Sequence, residues 1–250
     1  LRDAAVASLQ AGETFYSHNL GLPELRQAIA AYTSRLHGAV DMDRIAVTSS
    51  GVNALMLAQQ MLAGAGDEVV AVVPVWPNLT AQPAILGARV TRVPLRPRDG
   101  AWQLDLDELR AAVTPQTRVL LVNAPNNPTG WTLTRAEQQA LLDHCRSTGT
   151  WILADEVYER LYFQGNGVAP SFLDIATPDD RLVVAHSFSK SFLMTGWRLG
   201  WLVLPRGHLD AMGKLIEFNT SCAPVFVQRG ALAGLAIADD FVPGLVQRLQ

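Results

Sequence analysis

The stretch RVLLVNAPNNPTGWTLTRAEQQALLDHCRSTGTWILAD, residues 118–155, decides the fold. It opens on a nearly continuous apolar run, Arg118–Asn123, crosses a turn rich in Asn, Pro and Gly, and resumes with helical patterning over Arg135–Thr148. Thr134 and Glu137 stand at the start of that segment in the spacing of a capping box, where side chain and backbone exchange hydrogen bonds across the first turn. A second apolar run, Trp151–Asp155, follows. Apolar runs without polar alternation are those of strands covered on both faces, and a helix between two of them reads as a crossover between parallel strands.

The same rhythm extends outward. Strands are predicted at Ile45–Thr48, Val69–Val73, Arg89–Pro94, Leu182–Ser187 and Trp201–Leu204, besides the two above. Helices are predicted at Val52–Leu62, Leu79–Leu86, Leu106–Ala112, Arg135–Thr148 and Leu209–Phe218, and residues 223–250 read as one long helix broken near Pro243. Alternating strands and helices imply an α/β fold with a mostly parallel sheet, and such sheets bind ligands at the carboxyl ends of their strands. The polar residues of interest fall there: Ser50-Gly51, Trp76, Asn127, Asp155, and Ser187 to Lys190.

Bulk properties narrow the function. Of 250 residues, 49% are hydrophobic and 17% charged, enough for a sizeable core and unlike a disordered chain. A net charge of −3 and a pI near 5.9 exert no general pull on nucleic acid or anionic membrane, so any anion site must be local. No run approaches a membrane span, and Leu1-Arg2-Asp3 does not open a signal peptide. Cys145 and Cys222 lie far apart in no metal-ligand spacing, so no metal site is expected and they read as reduced thiols of a cytoplasmic protein. The first residue is not Met and the last residues read as a helix in mid-course; both ends are expected to be cuts in a longer protein.

Several residues carry chemistry. Lys190, in Ser187-Phe188-Ser189-Lys190, follows an apolar strand, where desolvation makes an amine nucleophilic and two hydroxyls offer bonds to an anion. Taken bare it also reads as a solvated lysine. The serine–lysine spacing of penicillin-binding enzymes is present, but their Ser-Asp-Asn and Lys-Thr-Gly partners are absent. Arg198, in Met194-Thr195-Gly196-Trp197-Arg198-Leu199-Gly200, suits a phosphate grip or, by itself, a surface position. Asp155 ends a buried strand and needs a partner, for which a protonated pyridine nitrogen, a helix cap or a salt bridge would each serve. Tyr158 falls on the same side if a helical turn begins there. Asn127 sits in the Pro-flanked turn Asn126-Asn127-Pro128-Thr129-Gly130. Gly51, Val52 and Asn53 open a helix whose free N–H groups suit an anion; neither GxGxxG nor GxxxxGK[ST] occurs. Trp76 reads as a core indole or one that stacks on a flat ring.

In order and spacing these segments resemble the class I/II aminotransferases, pyridoxal-phosphate (PLP) enzymes of fold type I, from Tyr16 to Gln228. The resemblance implies a three-layer αβα domain with a mostly parallel seven-stranded sheet, residues 1–250 being the large cofactor-binding domain without the small C-terminal one. It implies that Lys190 holds the cofactor as a Schiff base and that Asp155 pairs with the pyridinium nitrogen. Asn127 and Tyr158 would bond the phenolate oxygen, and Trp76 would stack on the ring. Gly51, Val52, Asn53, Ser187, Ser189 and Arg198 would hold the phosphate. Tyr16, in Tyr16-x-x-x-x-Gly21-Leu22-Pro23-x-Leu25-Arg26, resembles the tyrosine that reaches the neighbouring subunit's phosphate, which implies a homodimer with shared sites. The activity implied is amino transfer between an L-amino acid and a 2-oxo acid, with Lys190, Asp155 and Tyr158 catalytic.

Two departures qualify the resemblance. Ser50-Gly51-Val52-Asn53 lacks the second hydroxyl or lysine of many members, shifting the phosphate grip toward backbone. No arginine lies between Glu217 and Gln228, which disfavours a dedicated aspartate enzyme. Two rivals share the scaffold: a PLP-dependent β-lyase, and the aminotransferase-like sensor domain of a transcription regulator, disfavoured by the intact Asn-Asn-Pro-Thr-Gly and the lack of a basic patch.

Overall fold

The computed structural model describes residues 1–250. In chain order its elements are α1 (Arg2–Gln10), α2 (Pro23–Leu36), β1 (Ile45–Thr48), α3 (Gly51–Leu62), β2 (Glu68–Val73), α4 (Asn78–Ile85), β3 (Arg89–Pro94), β4 (Arg96–Arg98), β5 (Ala101–Gln103), α5 (Leu106–Ala112), β6 (Thr117–Asn123), α6 (Arg135–Thr148), β7 (Trp151–Asp155), β8 (Leu182–Ser187), β9 (Gly200–Val203), α7 (Leu209–Asn219), α8 (Val225–Ala236) and α9 (Ala238–Leu249). Seven strands form one sheet in the order β1-β9-β8-β7-β6-β2-β3; β4 and β5 make a separate hairpin. Only β9 runs antiparallel to its sheet neighbours.

Both faces of the sheet are covered, as the apolar runs require. On one face Leu55, Leu57 and Ala58 of α3, Leu79 of α4 and Met212 of α7 pack on Leu153, Val183 and Ala185. On the other, Leu25 and Ile29 of α2, Leu141 of α6 and Val227 and Ala231 of α8 pack on Ile152, Val184 and Val203. The two layers of helices and the sheet make the three-layer α/β domain. No helix is long and apolar enough to cross a membrane.

The predicted elements fall where expected, with shifts of one residue at several ends. The α6 capping box forms as read: Thr134 Oγ1 accepts from the Glu137 N–H, and the Glu137 carboxylate accepts from the Thr134 N–H. The reading of residues 223–250 as one helix broken near Pro243 is corrected. The break lies at Ile237, whose φ of −111° and ψ of 9° leave the helical basin, and Pro243 sits inside α9. Pro243 is the sixth residue of α9, so it removes one hydrogen bond of the helix ladder without ending the helix. The sequence reading passed over α1, α2 and the β4–β5 hairpin. In α2, Pro23 at the first position and buried Leu25, Ile29 and Tyr32 carried the signal.

One close approach fixes the end of the sheet that matters. At Gly200 a Cβ would lie 2.7 Å from the Gly51 nitrogen and 2.8 Å from the His186 carbonyl oxygen, so β8, β9 and the first residue of α3 meet where only hydrogen fits. Gly200→Ala is therefore expected to cost about 1–3 kcal/mol, the range for overpacking a tight contact. Urea unfolding of the two proteins measures it, and an unchanged midpoint would show that the approach is not required.

Candidate active site

A cavity of about 190 Å³ opens at the carboxyl ends of the central strands. Lys190 lines it from the loop after β8. That loop is pinned on both sides of the lysine: the Phe188 N–H donates to the Leu199 carbonyl at 3.1 Å, and the Met194 N–H to the Phe188 carbonyl at 3.3 Å. Phe188 and Met194 are fully buried, so their burial holds the loop while Lys190 stays half-buried. Its Nζ stands 5.1 Å from the centre of the Tyr158 ring, which also lines the cavity.

Asp155 is the most strained charge in the cavity wall. Strand β7 carries it to the mouth, 3% exposed, where its Oδ1 has no hydrogen-bond partner. Burial pushes its carboxyl up to about 7; the Val157 N–H and the Lys190 ammonium pull back without overcoming the loss of water. A buried acceptor without a donor is costly and marks a place where a cationic N–H donor would be welcome.

Across the cavity lies an anion-binding end. Ser50 caps α3, its Oγ accepting from the Asn53 N–H at 3.0 Å, and the Ala54 N–H returns to the Ser50 carbonyl. The Gly51 and Val52 N–H groups have no acceptor within the helix and line the cavity at its positive end. Ser187 and Ser189 face them, the Ser189 N–H donating to Ser187 Oγ at 3.1 Å. Arg198 completes this end in the left-handed backbone region, φ 56° and ψ 67°, a conformation that costs energy in a non-glycine residue. Its Nη1 donates to the Thr195 carbonyl at 2.6 Å, leaving other guanidinium donors for a ligand. Asn127 enters from the loop after β6, its N–H held by Asn123 Oδ1 at 2.7 Å, and half-buried Trp76 closes a side.

Two residues named from the sequence lie outside the cavity. Asn53 gives its N–H to Ser50 Oγ, its Oδ1 accepts from the Ser49 N–H and its Nδ2 donates to Asn219, so its backbone donor is engaged within the helix cap. Tyr16 is 85% exposed, on the irregular segment before α2. Leu55, Asn123, Val157 and Thr195, which line the cavity, escaped the sequence reading; Asn123, the last residue of an apolar strand, was the one with a legible signal.

Behind the cavity, on the other sheet face, lies a second polar group that the sequence did not announce. His37 Nδ1 meets Asp174 and its Nε2 meets Glu159, each at 2.9 Å, and these carboxylates push the imidazole up to about 10 despite its burial. Glu156 accepts from Ser171 Oγ and the Phe172 N–H, yet burial still pushes it up to about 7. His186 Nδ1 lies 3.5 Å from Glu159 without bonding geometry; burial lowers its pKa and its ring stacks on Trp201 at 4.9 Å. It is thus a neutral ring beside a carboxylate rather than an ion pair.

Comparison with known proteins places these features in company. The family model of aminotransferase class I and II matches residues 1–250. An arginine–pyruvate transaminase of Pseudomonas aeruginosa is 37% identical over 236 residues, covering 93% of this chain and 58% of that protein. An aspartate aminotransferase of Pyrococcus horikoshii is 31% identical, covering 94% and 59%. Among solved structures, N-succinyldiaminopimelate aminotransferase from Mycobacterium tuberculosis superposes with a TM-score of 0.93 at 30% identity, covering 99% of this chain and 65% of that one. A Thermus thermophilus aspartate aminotransferase mutant gives 0.92 at 30%, covering 98% and 64%. The chain thus spans about three-fifths of the length of these relatives.

The unpartnered carboxyl of Asp155 has a measurable consequence. Its folded pKa stands above its unfolded value, so between the ordinary carboxylate range and about 7 the folded chain binds the extra proton. Stability contributed by that proton is present at low pH and lost as pH rises toward 7. In the cofactor-free protein Asp155→Asn should remove this loss and raise stability at pH 8 by something on the order of 1–4 kcal/mol. Denaturant unfolding at pH 5 and pH 8 measures it; equal stability of the two proteins at both pH values would contradict the assigned environment.

Proposed function

This chain belongs to the aminotransferase class I and II family, and on that premise we propose that its protein is a PLP-dependent aminotransferase that moves an amino group between an L-amino acid and a 2-oxo acid. The observation that carries the reading is Asp155 Oδ1, a buried acceptor without a donor, facing a cavity with an amine on one side and an anion-binding end on the other. A flat cationic heteroaromatic ring bearing a phosphate matches those features. The relatives' names include arginine–pyruvate, aspartate and aromatic-amino-acid aminotransferases, so the reading stops at the class of substrate.

The residues present fit the cofactor. Lys190 would hold it covalently. The Gly51 and Val52 N–H groups, Ser187, Ser189 and Arg198 would hold its phosphate, and Trp76 would cover its ring. Asn127 and Tyr158 would bond its phenolate oxygen. When bound, PLP supplies the electron sink that lets an amino acid release its Cα proton, and it carries the amino group between substrates. Lys190 Nζ, lining the cavity, would serve as the general acid–base that takes the proton from the substrate Cα and returns it. Asp155 would hold a protonated ring nitrogen by ion pairing, which would lower its carboxyl from the value of about 7 that it has alone. The phosphate contacts take no part in bond making and serve to fix the ring's orientation over Lys190.

The proposal includes the quaternary and cellular setting: a cytoplasmic homodimer in which residues 1–250 form the cofactor-binding large domain. Exposed Phe15 and Tyr16, at 84% and 85%, support a partner covering this segment, with Tyr16 reaching the neighbour's phosphate.

The test is the absorbance spectrum of the full-length protein with PLP, before and after adding amino acids. A visible band that gives way to the amine form of the cofactor, and returns with a 2-oxo acid, is expected. A band that never shifts, with release of pyruvate and ammonia from a cysteine derivative, would put a lyase in its place. Lys190→Ala should lose the visible band and turnover by orders of magnitude, whereas Asp155→Ala should keep bound PLP and lose most activity. Retained turnover in the lysine variant would remove Lys190 from its role.

A further inference from the structure

The segment between α1 and α2 has no regular structure, yet it is tied down on either side of its exposed aromatic pair. The ties that flank the pair most closely come from consecutive residues of α8; farther along, Asn19 Nδ2 donates to the Gly213 carbonyl at 2.9 Å and the Leu20 carbonyl accepts from the Val47 N–H at 3.0 Å. Before the pair, Arg229 grips Glu13 with two bonds, Nη2 to Oε1 at 2.9 Å and Nε to Oε2 at 3.1 Å, and Ser8 Oγ donates to the same carboxylate at 2.6 Å. After the pair, fully buried Gln228 accepts from the Leu22 N–H at 2.7 Å, and its Nε2 donates to Ser17 Oγ at 3.2 Å and the Ala223 carbonyl at 2.7 Å. Between the ties the Tyr16 hydroxyl makes no hydrogen bond within the chain and the ring stands in solvent.

That arrangement is unusual for a surface aromatic. An irregular segment with two exposed rings would ordinarily spread over many backbone states, and ordering it on contact would cost binding free energy. Here the ordering is done in advance by a bidentate guanidinium–carboxylate pair and a buried amide with its oxygen and nitrogen both engaged. The next residue of α8 braces the chain's own site. A Cβ at Gly230 would lie 2.5 Å from Trp197 Cζ3, so Trp197, the neighbour of Arg198, comes close against the helix there.

We infer that Gln228 and Arg229 are positioning residues for Tyr16: they fix where its hydroxyl arrives at the phosphate end of the neighbouring subunit's cavity. This rests on the homodimeric, PLP-binding reading above. Three consecutive residues of α8, Gln228 to Gly230, thereby set the outgoing Tyr16 and the chain's own Arg198 loop from one rigid element.

Arg229 carries the test, because buried Gln228 variants risk misfolding. In the full-length dimer, the dissociation constant for PLP is measured for Tyr16→Phe, Arg229→Met, Arg229→Lys and the Tyr16→Phe/Arg229→Met double variant. Loss of one hydrogen bond to a charged group should weaken PLP by about tenfold or more in Tyr16→Phe, and Arg229→Met should weaken it by a part of that. The double variant should bind no more weakly than Tyr16→Phe alone, since a misplaced ring without its hydroxyl has nothing left to lose. Hydrogen–deuterium exchange of amides 13–17 should rise in Arg229→Met and less in Arg229→Lys. Multiplying effects in the double variant, with Tyr16→Phe itself impaired, would overturn the positioning role while leaving Tyr16's contact intact. Unchanged exchange in Arg229→Met would overturn it as well. An unchanged constant in Tyr16→Phe would fell the contact itself and the inference with it.

Discussion

Side chains on a strand alternate between its two faces, and at the carboxyl ends of β7 and β8 this constraint sorts the polar residues into two groups. Asp155 continues the face of Trp151 and Leu153, toward α3, while Glu156 follows Ile152 and Ala154 to the opposite side. Ser187 likewise follows Val183 and Ala185 into the cavity, and His186 follows Leu182 and Val184 away from it. Neighbouring acids of similar chemistry thus have different lives. Asp155 is left with its Oδ1 without a donor in a ligand-sized space, whereas Glu156 accepts hydrogen bonds from Ser171 Oγ and the Phe172 N–H. A one-residue slip of either strand would exchange the groups and empty the site.

The cavity works because tight packing on one side permits loose chemistry on the other. Gly200 lets β9 lie against the start of α3, which brings the Gly51 and Val52 N–H groups next to Ser187. Arg198 accepts a left-handed backbone to turn back toward the same spot. Helix-start N–H groups, hydroxyls, a guanidinium, a desolvated carboxyl and the Lys190 amine all line one cavity. Such polarity along a cavity orients a dipolar ligand before any chemistry begins, because the carboxyl has already lost its water at folding and a matching cation restores its partner. The buried group around His37 and Glu159 ties the end of α2 to the segment leaving β7, so the rear wall is held by charge-assisted bonds rather than by apolar contact alone.

Helix α8 connects parts of the molecule that the sheet does not. It joins the core through Val227 and Ala231, while Gln228 and Arg229 reach the Tyr16 segment and Gly230 meets Trp197. Local irregular backbone gains order from a regular element far away in sequence: Leu22 and Gln228 are separated by 206 positions. The conformational entropy of this segment is lost at folding, so less remains to be lost when a partner meets the exposed aromatic pair.

The amino-acid sequence by itself determined the alternation of elements, most of their ends, and the identity of the residues that meet at the cavity, because apolar runs, caps and turn residues act over a few neighbouring positions. Lys190, Asp155, Asn127, Tyr158 and Trp76 each stand at a strand end or the loop beyond it, but each also read as an ordinary side chain, and only the family resemblance of their order and spacing implied that they form one site. Position along the chain misled where a local donor was already spent, as at Asn53, whose N–H goes to the capping Ser50. The break at Ile237 escaped for a related reason: a proline is a visible breaker in sequence, but where a helix turns its corner is set by what it packs against. Only the tertiary structure decided that Asp155 lacks a partner while Glu156 has two, that His37 is charged between carboxylates from distant segments, and that Gln228 and Arg229 hold the Tyr16 segment. These depend on which groups long-range packing removes from water and which it brings within bonding distance, and no local pattern records that.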